Sequence, residues 1–416
     1  MYCGACARDI TLVRGLIARG HDVQIIPLYT PLKIEGNLAL PLDDVFLGGV
    51  NAYLQQVSGI FRRMPGFMAR LLDSRALLEF VSRFAISTKP SKLGAMTVSV
   101  LAGAHGRQVQ EVQRLIGHLR EQGPPDAFVI TNSLLSGLAP ALKQHFGVPV
   151  ICGLQGEDHF VRSIGERHQA QAVELMQTNA ESVDVFVAPG EAYAATMARF
   201  LAVPADKVRV VHAGVNIPDY AWEGDRPREP FTIGYLSAIT PGKGLDVLID
   251  AFATLITEQR RDVRLRVAGK PLDKAYWSTV QNTLAQRGIA DCVEFLGEIS
   301  LPQKQEFLRH CSVFVMPSRF PETRAMAAME AMAAGVPVAL PAQGVFPELL
   351  TRAPGGRLFP PEDAATLAGH LADLMDRPEE ADRLGIAGAE GIAEHYSGDA
   401  STEEMMQVLR ALLGSA

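Results

Sequence analysis

The stretch Pro317-Ser-Arg-Phe-Pro-Glu322-Thr-Arg-Ala-Met-Ala-Ala-Met-Glu330-Ala-Met-Ala-Ala-Gly335-Val-Pro-Val338 follows an apolar run that ends at Met316. It opens as a loop of proline, serine and charged residues. It continues as an Ala/Met-rich run of helical composition and stops at Gly335. A second apolar run, 336–340, comes next. Strand, loop, helix and strand in that order form the repeating unit of a parallel sheet covered by helices. Outward from this unit the same alternation recurs along the chain. Candidate strands lie at 23–29, 127–131, 149–153, 184–188 and 208–212, and a second series lies at 231–236, 263–268, 292–296, 312–316 and 336–340. Between the two series, 217–230 holds three prolines and alternating charges, the composition of an interdomain connection. The expectation is α/β, with two Rossmann-like doubly wound domains.

The chain has 416 residues, enough for two or three domains. With 48% hydrophobic and 20% charged residues it has a globular composition, which disfavours disorder and fibrous repeats. Lys and Arg number 39 against 46 Asp and Glu, so no excess of cations points to a nucleic acid as the main partner. Five cysteines do not make a disulfide framework, and Cys3-Gly-Ala-Cys6 is a lone pair without a second one. No His/Asp/Cys cluster has metal-ligand spacing, so the expected metal complement is none. With no leader-like or membrane-spanning stretch, the sequence reads as that of a soluble, cytoplasmic protein.

The first recognisable element is a helix, with Asp9 as its N-cap, Ile10, Val13, Leu16 and Ile17 as its apolar stripe, and Gly20 as its stop. A doubly wound domain normally has a strand before that helix. The expectation is therefore that this first strand is lacking here, either because Met1 is an internal methionine downstream of the true start, the favoured reading, or because this domain is incomplete. Residues 61–92 carry five arginines and two lysines against Asp73 and Glu79, with leucines interleaved. They read as a solvated amphipathic helix pair, or as a peripheral contact with an anionic membrane face.

Glu322 and Glu330 are eight residues apart, so on one continuous helix they would stand about 12 Å from each other. That is wider than the roughly 5 to 9.5 Å of carboxylate pairs that flank one scissile bond. The pair suits two ends of an extended ligand bearing hydroxyl groups, or an exposed surface. Two glutamates with seven residues between them, followed by Ala-Met-Ala-Ala-Gly-Val-Pro-Val, make the stretch similar to the donor-site signature of the retaining glycosyltransferases of family 4, which have the two-domain GT-B fold. The segments 208–216, 263–269 and 293–297 resemble that family as well. The resemblance implies two domains facing each other across a cleft, with Glu322 at the donor sugar, Glu330 on the ribose of a UDP- or GDP-linked nucleotide diphosphate sugar, no further cofactor, and retention of configuration. It places Thr323, Arg324, Ala325 and Gly4 in the donor-binding loops. It also implies domains at 1–218 and 219–395, with 396–416 returning to the first.

The second candidate donor element is the strand 231–236 followed by Ser-Ala-Ile-Thr-Pro-Gly-Lys243-Gly244 and a helix with Leu245, Leu248, Ile249, Phe252 and Leu255 on one face. A turn at a helix start favours an anion, so Lys243 and Gly244 are candidates for the diphosphate. The family usually has Gly and Arg where this chain has Ser237 and Ala238, so one diphosphate-binding cation is missing, with Arg319 or Arg324 as possible substitutes. After Glu322 the family prefers Gly-Phe-Gly, and this chain has Thr323-Arg324-Ala325. In the first domain the loop Leu154-Gln-Gly-Glu157-Asp158-His159 offers Glu157 or Asp158 to take the acceptor's proton, with His159 as a third candidate. The expected partners are a nucleotide sugar and a sugar or lipid-linked acceptor. Two further readings stay open: a nucleotide-sugar epimerase or hydrolase on the same scaffold, and a non-catalytic binding subunit.

Overall fold

A computed structural model describes residues 4–28, 90–221, 229–259 and 261–414. The basic stretch 61–92 lies outside them, apart from the backbone of its last three residues. The chain forms two compact units. One takes the chain up to Pro189, Ala194–Val211 and the chain from Met406 onward; the other takes Gly190–Tyr193 and His212–Met405.

In the first unit β1 (Phe128–Ile130), β2 (Val150–Gly153), β3 (Val185–Ala188) and β4 (Val208–Val210) form a parallel sheet in the order β1-β2-β3-β4. Parallel neighbours need a crossover, and helices such as Ala139–Phe146 and Glu166–Ala180 supply it. All four residues of β2 are buried, as an inner strand requires. The expected strand at 23–29 does not form in the described part of that segment, where 21–27 is irregular backbone. Asp9 is not an N-cap either. The first helix runs Gly4–Ala18, and Asp9 lies inside it, accepting a hydrogen bond from the Thr131 hydroxyl beyond β1. Gly4, carried forward as a donor-loop residue, opens that helix.

In the second unit β5 (Phe231–Leu236), β6 (Val263–Ala268), β7 (Val293–Gly297), β8 (Val313–Val315), β9 (Val338–Pro341) and β10 (Gly356–Phe359) are parallel in the order β10-β9-β8-β5-β6-β7. The winding runs outward from β5 to β7, then returns to β8 on the other side of β5. Loops leaving β5 and β8 therefore diverge at their carboxyl ends, which is the crevice where doubly wound sheets take ligands. Both faces are apolar. Phe314, Val338 and Leu340 pack with Met329 and Met332 on one, while Val313, Val315, Ala339, Ile233 and Phe252 pack together on the other.

The helix Leu245–Ala253 has Gly244 as its N-cap, with no side chain to accept an amide. With glycine in that place the missing side-chain cap costs only about a few tenths of a kcal/mol. Leu245, Leu248, Ile249, Phe252 and Leu255 are each at most 1% exposed, and each contributes roughly 1.5 to 3 kcal/mol by burial, so packing decides that this helix forms.

The long segment of the second unit opens at His212, which is 2% exposed. Its Nδ1 lies 2.8 Å from Glu404 Oε1, and its Nε2 lies 3.0 Å from Glu348 Oε1. Its backbone N–H donates to Glu404 and its carbonyl accepts from Ser401, while Glu348 also accepts from the Glu191 N–H.

Candidate active site

The loop after β5 closes in a short 3-10 turn, Pro241–Lys243, and Gly244 then adopts the left-handed conformation (φ 68°). A Cβ at Gly244 would stand 2.0 Å from the Pro317 carbonyl oxygen, so only glycine lets this turn lie against the loop leaving β8. That contact brings Lys243 to Glu322. Lys243 Nζ lies 2.5 Å from Glu322 Oε1 and 4.6 Å from the centre of the Phe320 ring. The Ser318 hydroxyl donates to the same carboxylate oxygen at 2.6 Å. Oε2 of Glu322 accepts no hydrogen bond among the described residues.

The loop 317–325 is braced from behind. The Val345 N–H donates to the Glu322 carbonyl at 2.9 Å, and the Gln343 side chain donates to the Ser318 carbonyl at 2.7 Å. A Cβ at Gly344 would meet Glu322 N and O within 2.6 Å. Thr323 is buried and Arg324 is half-buried in this loop. The helix starts only at Met326, so the 12 Å separation expected of a continuous helix does not apply to 322–325. Ala325, its N-cap, is left-handed (φ 54°) where the resembling family has glycine.

Glu330 lies on the helix Met326–Ala333 and is 9% exposed. Its Oε1 accepts from Lys304 Nζ at 2.8 Å, and Lys304 also donates to the Tyr220 hydroxyl at 3.2 Å. The structure thus brings Lys243, Gly244 and Glu322 together and gives Glu330 its own lysine. Lys304, Tyr220, Ser318 and Gln343 are participants that the sequence reading did not name.

Arg319, one of the two substitutes considered for the missing diphosphate-binding cation, is held by carboxylates in this structure. Its guanidinium grips Asp246 through two bonds of 2.8 and 2.6 Å, donates to the Pro241 carbonyl and pairs with Glu362. It clasps the Lys243 turn to the following helix. Burial works against the Asp246 charge, but Arg319 and the Tyr276 hydroxyl more than offset it and hold the carboxyl below its ordinary range. The Tyr276 hydroxyl, half-buried and donating to Asp246, is raised in turn.

In the first unit Glu157 and Asp158 open the helix Glu157–Ser163 and are 4% and 3% exposed. Glu157 accepts from the Ser133 N–H (3.1 Å) and the Gln155 N–H (2.6 Å), tying together the loops that leave β1 and β2. Gln155 donates to the Thr131 carbonyl at 2.6 Å. His159 is exposed. Among the described residues no three His, Cys, Asp or Glu are grouped to hold a metal ion, and no helix is long and apolar enough to cross a membrane.

The comparisons with known proteins follow the same two-part division. Residues 11–214 match the glycosyl transferase 4-like domain, and residues 216–391 match the glycosyl transferases group 1. A D-inositol 3-phosphate glycosyltransferase of Streptomyces scabiei is 31% identical over 246 residues, 56% of this chain and 55% of that protein; here the chain spans little more than half of the relative's length. A relative of the same name from Stackebrandtia nassauensis is 29% identical over 405 residues, 86% of each chain. Among solved structures, Anabaena HepE in complex with UDP superposes with a TM-score of 0.62 at 18% identity, covering 74% of this chain and 84% of that one. Sucrose-phosphate synthase of Thermosynechococcus elongatus gives 0.64 at 21%, covering 74% and 79%. Those likenesses show the GT-B fold. Each of the two parallel α/β units of that fold thus carries its own match, the first to the glycosyl transferase 4-like domain and the second to the glycosyl transferases group 1.

Proposed function

We propose that the protein transfers a hexosyl group from a UDP- or GDP-linked sugar to a hydroxyl acceptor with retention of configuration. The observation that supports this most is the meeting of Lys243 and Glu322 at 2.5 Å, on the two loops that diverge at the reversal of strand order in the second unit. In this reading the ammonium of Lys243 and the amides of the turn at Gly244 attract the diphosphate. Thr323, Arg324 and Ala325 line the donor loop, Glu322 accepts from a sugar hydroxyl, and Glu330 accepts from the ribose.

In the reaction the bond between the anomeric carbon and the diphosphate oxygen breaks, and the acceptor oxygen bonds to that carbon on the same face. The electron pair of the broken bond leaves on the diphosphate, where Lys243 and the aligned amides stabilise it. The acceptor's proton needs a base. We assign that role to Glu157 or Asp158, the two carboxylates that open the helix after β2. The names of the relatives place inositol phosphate first in an acceptor panel.

Calorimetric titration with UDP and GDP tests the donor site. We expect binding to wild type and a loss of about tenfold or more in Lys243→Met, from removal of one charge-assisted contact. No binding of either nucleotide at millimolar concentration overturns the reading. Incubation with nucleotide sugars and acceptors, followed by NMR of the products, then separates an α-linked transfer product from free sugar or an epimer. Binding without any turnover across the panel would favour the non-catalytic subunit.

A further inference from the structure

We propose that Lys304 is a positioning residue of the donor site, and that it presents the Glu330 carboxylate to the donor in one fixed orientation. This inference rests on the reading of Glu330 as a donor contact. Lys304 is 5% exposed and lies on the helix Leu301–Arg309, which follows β7, whereas Glu330 lies on the helix that follows β8. A lysine so buried is tolerated only with a partner for its charge, and Glu330 Oε1, at 2.8 Å, is that partner. The hold is one-sided. Oε1 takes the ammonium, while Oε2 accepts no hydrogen bond among the described residues and is not sealed from solvent. A carboxylate gripped by one oxygen and open at the other is poised to accept from a ligand hydroxyl.

The lysine is itself fixed by the turn Ile217–Asp219, near the start of the second unit. Tyr220, which ends that turn, accepts from Lys304 through its hydroxyl, and its ring centre lies 5.7 Å from Nζ. Gln305 donates to the Asp219 carbonyl at 2.5 Å and ties the same turn to the same helix. Without Lys304, the flexible Glu330 side chain would lose the contact that selects its rotamer, and ligand binding would have to order it. Glu322 follows the same pattern, held at Oε1 by Lys243 and open at Oε2. Each glutamate of the pair is thus aimed by a lysine from a different element.

The test is a double-mutant cycle on the full chain. Nucleoside diphosphate affinity is measured by calorimetry for wild type, Lys304→Met, Glu330→Gln and the double variant, with KM and kcat for the donor once turnover is in hand. We expect Lys304→Met to weaken binding about tenfold in the Glu330 background and less than about twofold in the Glu330→Gln background, the sign of a coupled pair. Equal effects in both backgrounds, or affinity unchanged in Lys304→Met, overturn the proposal. If Lys304→Met does not fold, Lys304→Arg and Tyr220→Phe carry the test. Each keeps the buried charges balanced while moving the grip, and is expected to raise the donor KM about threefold or more with kcat little changed. A KM unchanged in both overturns it. Glu330→Gln alone separates the two levels: undiminished affinity there sinks the reading of Glu330 itself, whereas weakened affinity there with normal affinity in Lys304→Met sinks only the role of Lys304.

Discussion

At the scale of single residues, Ala325 is the position where local chemistry and fold disagree. Its left-handed backbone costs a residue with a Cβ about 1 to 2 kcal/mol, and its carbonyl still accepts the first helical bond from Met329. Glycine would remove that cost and return part of the gain as unfolded-chain entropy, so Ala325→Gly should raise the thermal midpoint by about 1 to 3 °C. A lower midpoint in a calorimetric scan would show that the methyl's packing in the core outweighs the strain. The sequence points to this residue only through its neighbours, since nothing in Thr-Arg-Ala by itself asks for a left-handed angle. Lys243 and Glu322 are 79 positions apart, yet both can be picked out beforehand because each follows a strand that leads into a helix start. Lys304 was equally open to detection. It stands at the first position of the spacing 304, 307, 308, 311, whose other members Phe307, Leu308 and Cys311 are all buried. A lysine on an apolar stripe requires a carboxylate, and that inference does not say which one. Ser318 and Gln343 had no such signal, because loop hydrogen bonds follow no period.

At the scale of elements, the inner strands of the second unit were legible because parallel strands buried on both faces are continuous apolar runs. Phe231–Leu236 and Val263–Ala268 form with the bounds their sequence suggests. The edge strand Gly356–Phe359 was missed, since Gly-Arg-Leu-Phe after another glycine shows neither alternation nor an apolar run, and only Phe359 is fully buried. The run at 23–29 shows the converse. Its composition is that of a strand, but a strand exists only where a neighbour supplies a ladder, and residues 21–27 have none among the described residues. The turn before Leu245–Ala253 gives a sharper test of how elements place side chains. Gly244→Ala would put a methyl 2.0 Å from the Pro317 carbonyl oxygen and force a left-handed alanine, so the two loops must part. We expect a loss of about 2 kcal/mol or more in stability, and nucleotide affinity falling further than stability alone explains as Lys243 moves off Glu322. A variant with unchanged urea midpoint and affinity would mean that the loops are not held by this contact.

At the scale of the whole molecule, the histidine bridge ties together parts of the chain far apart in sequence. His212 is the first residue after the chain enters the second unit, Glu404 is the last but one before it leaves, and Glu191 belongs to the short excursion at Gly190–Tyr193. Burial lowers the His212 pKa, but the hydrogen bonds to Glu348 and Glu404 outweigh burial and the opposing charge of Arg352, raising it to about 9. The ring is edge-on to Tyr396 at 5.2 Å, and the Tyr396 hydroxyl is itself raised by burial and by the nearby glutamates. Glu348 is held below its ordinary value, because the contacts with His212 overcome the burial that would raise it. A histidine with a raised native pKa contributes stability that is fully present below about pH 6.5, where the unfolded chain is also protonated, and that is lost as pH rises through about 9. The difference from the ordinary histidine value of 6.5 corresponds to roughly 2 to 3 kcal/mol once the partial exposure of the two glutamates is allowed for. Glu348 acts at the other limit, where its contribution is present above the usual carboxylate range and lost as pH falls through its lowered native value. Urea midpoints of the second unit's transition should therefore fall steadily between pH 6.5 and 9, and His212→Gln should be less stable at pH 6 while losing that alkaline slope. A wild type that gains stability over this range, or a glutamine variant with the same slope, would show that the bridge is neutral in the native protein and that its geometry alone joins these segments.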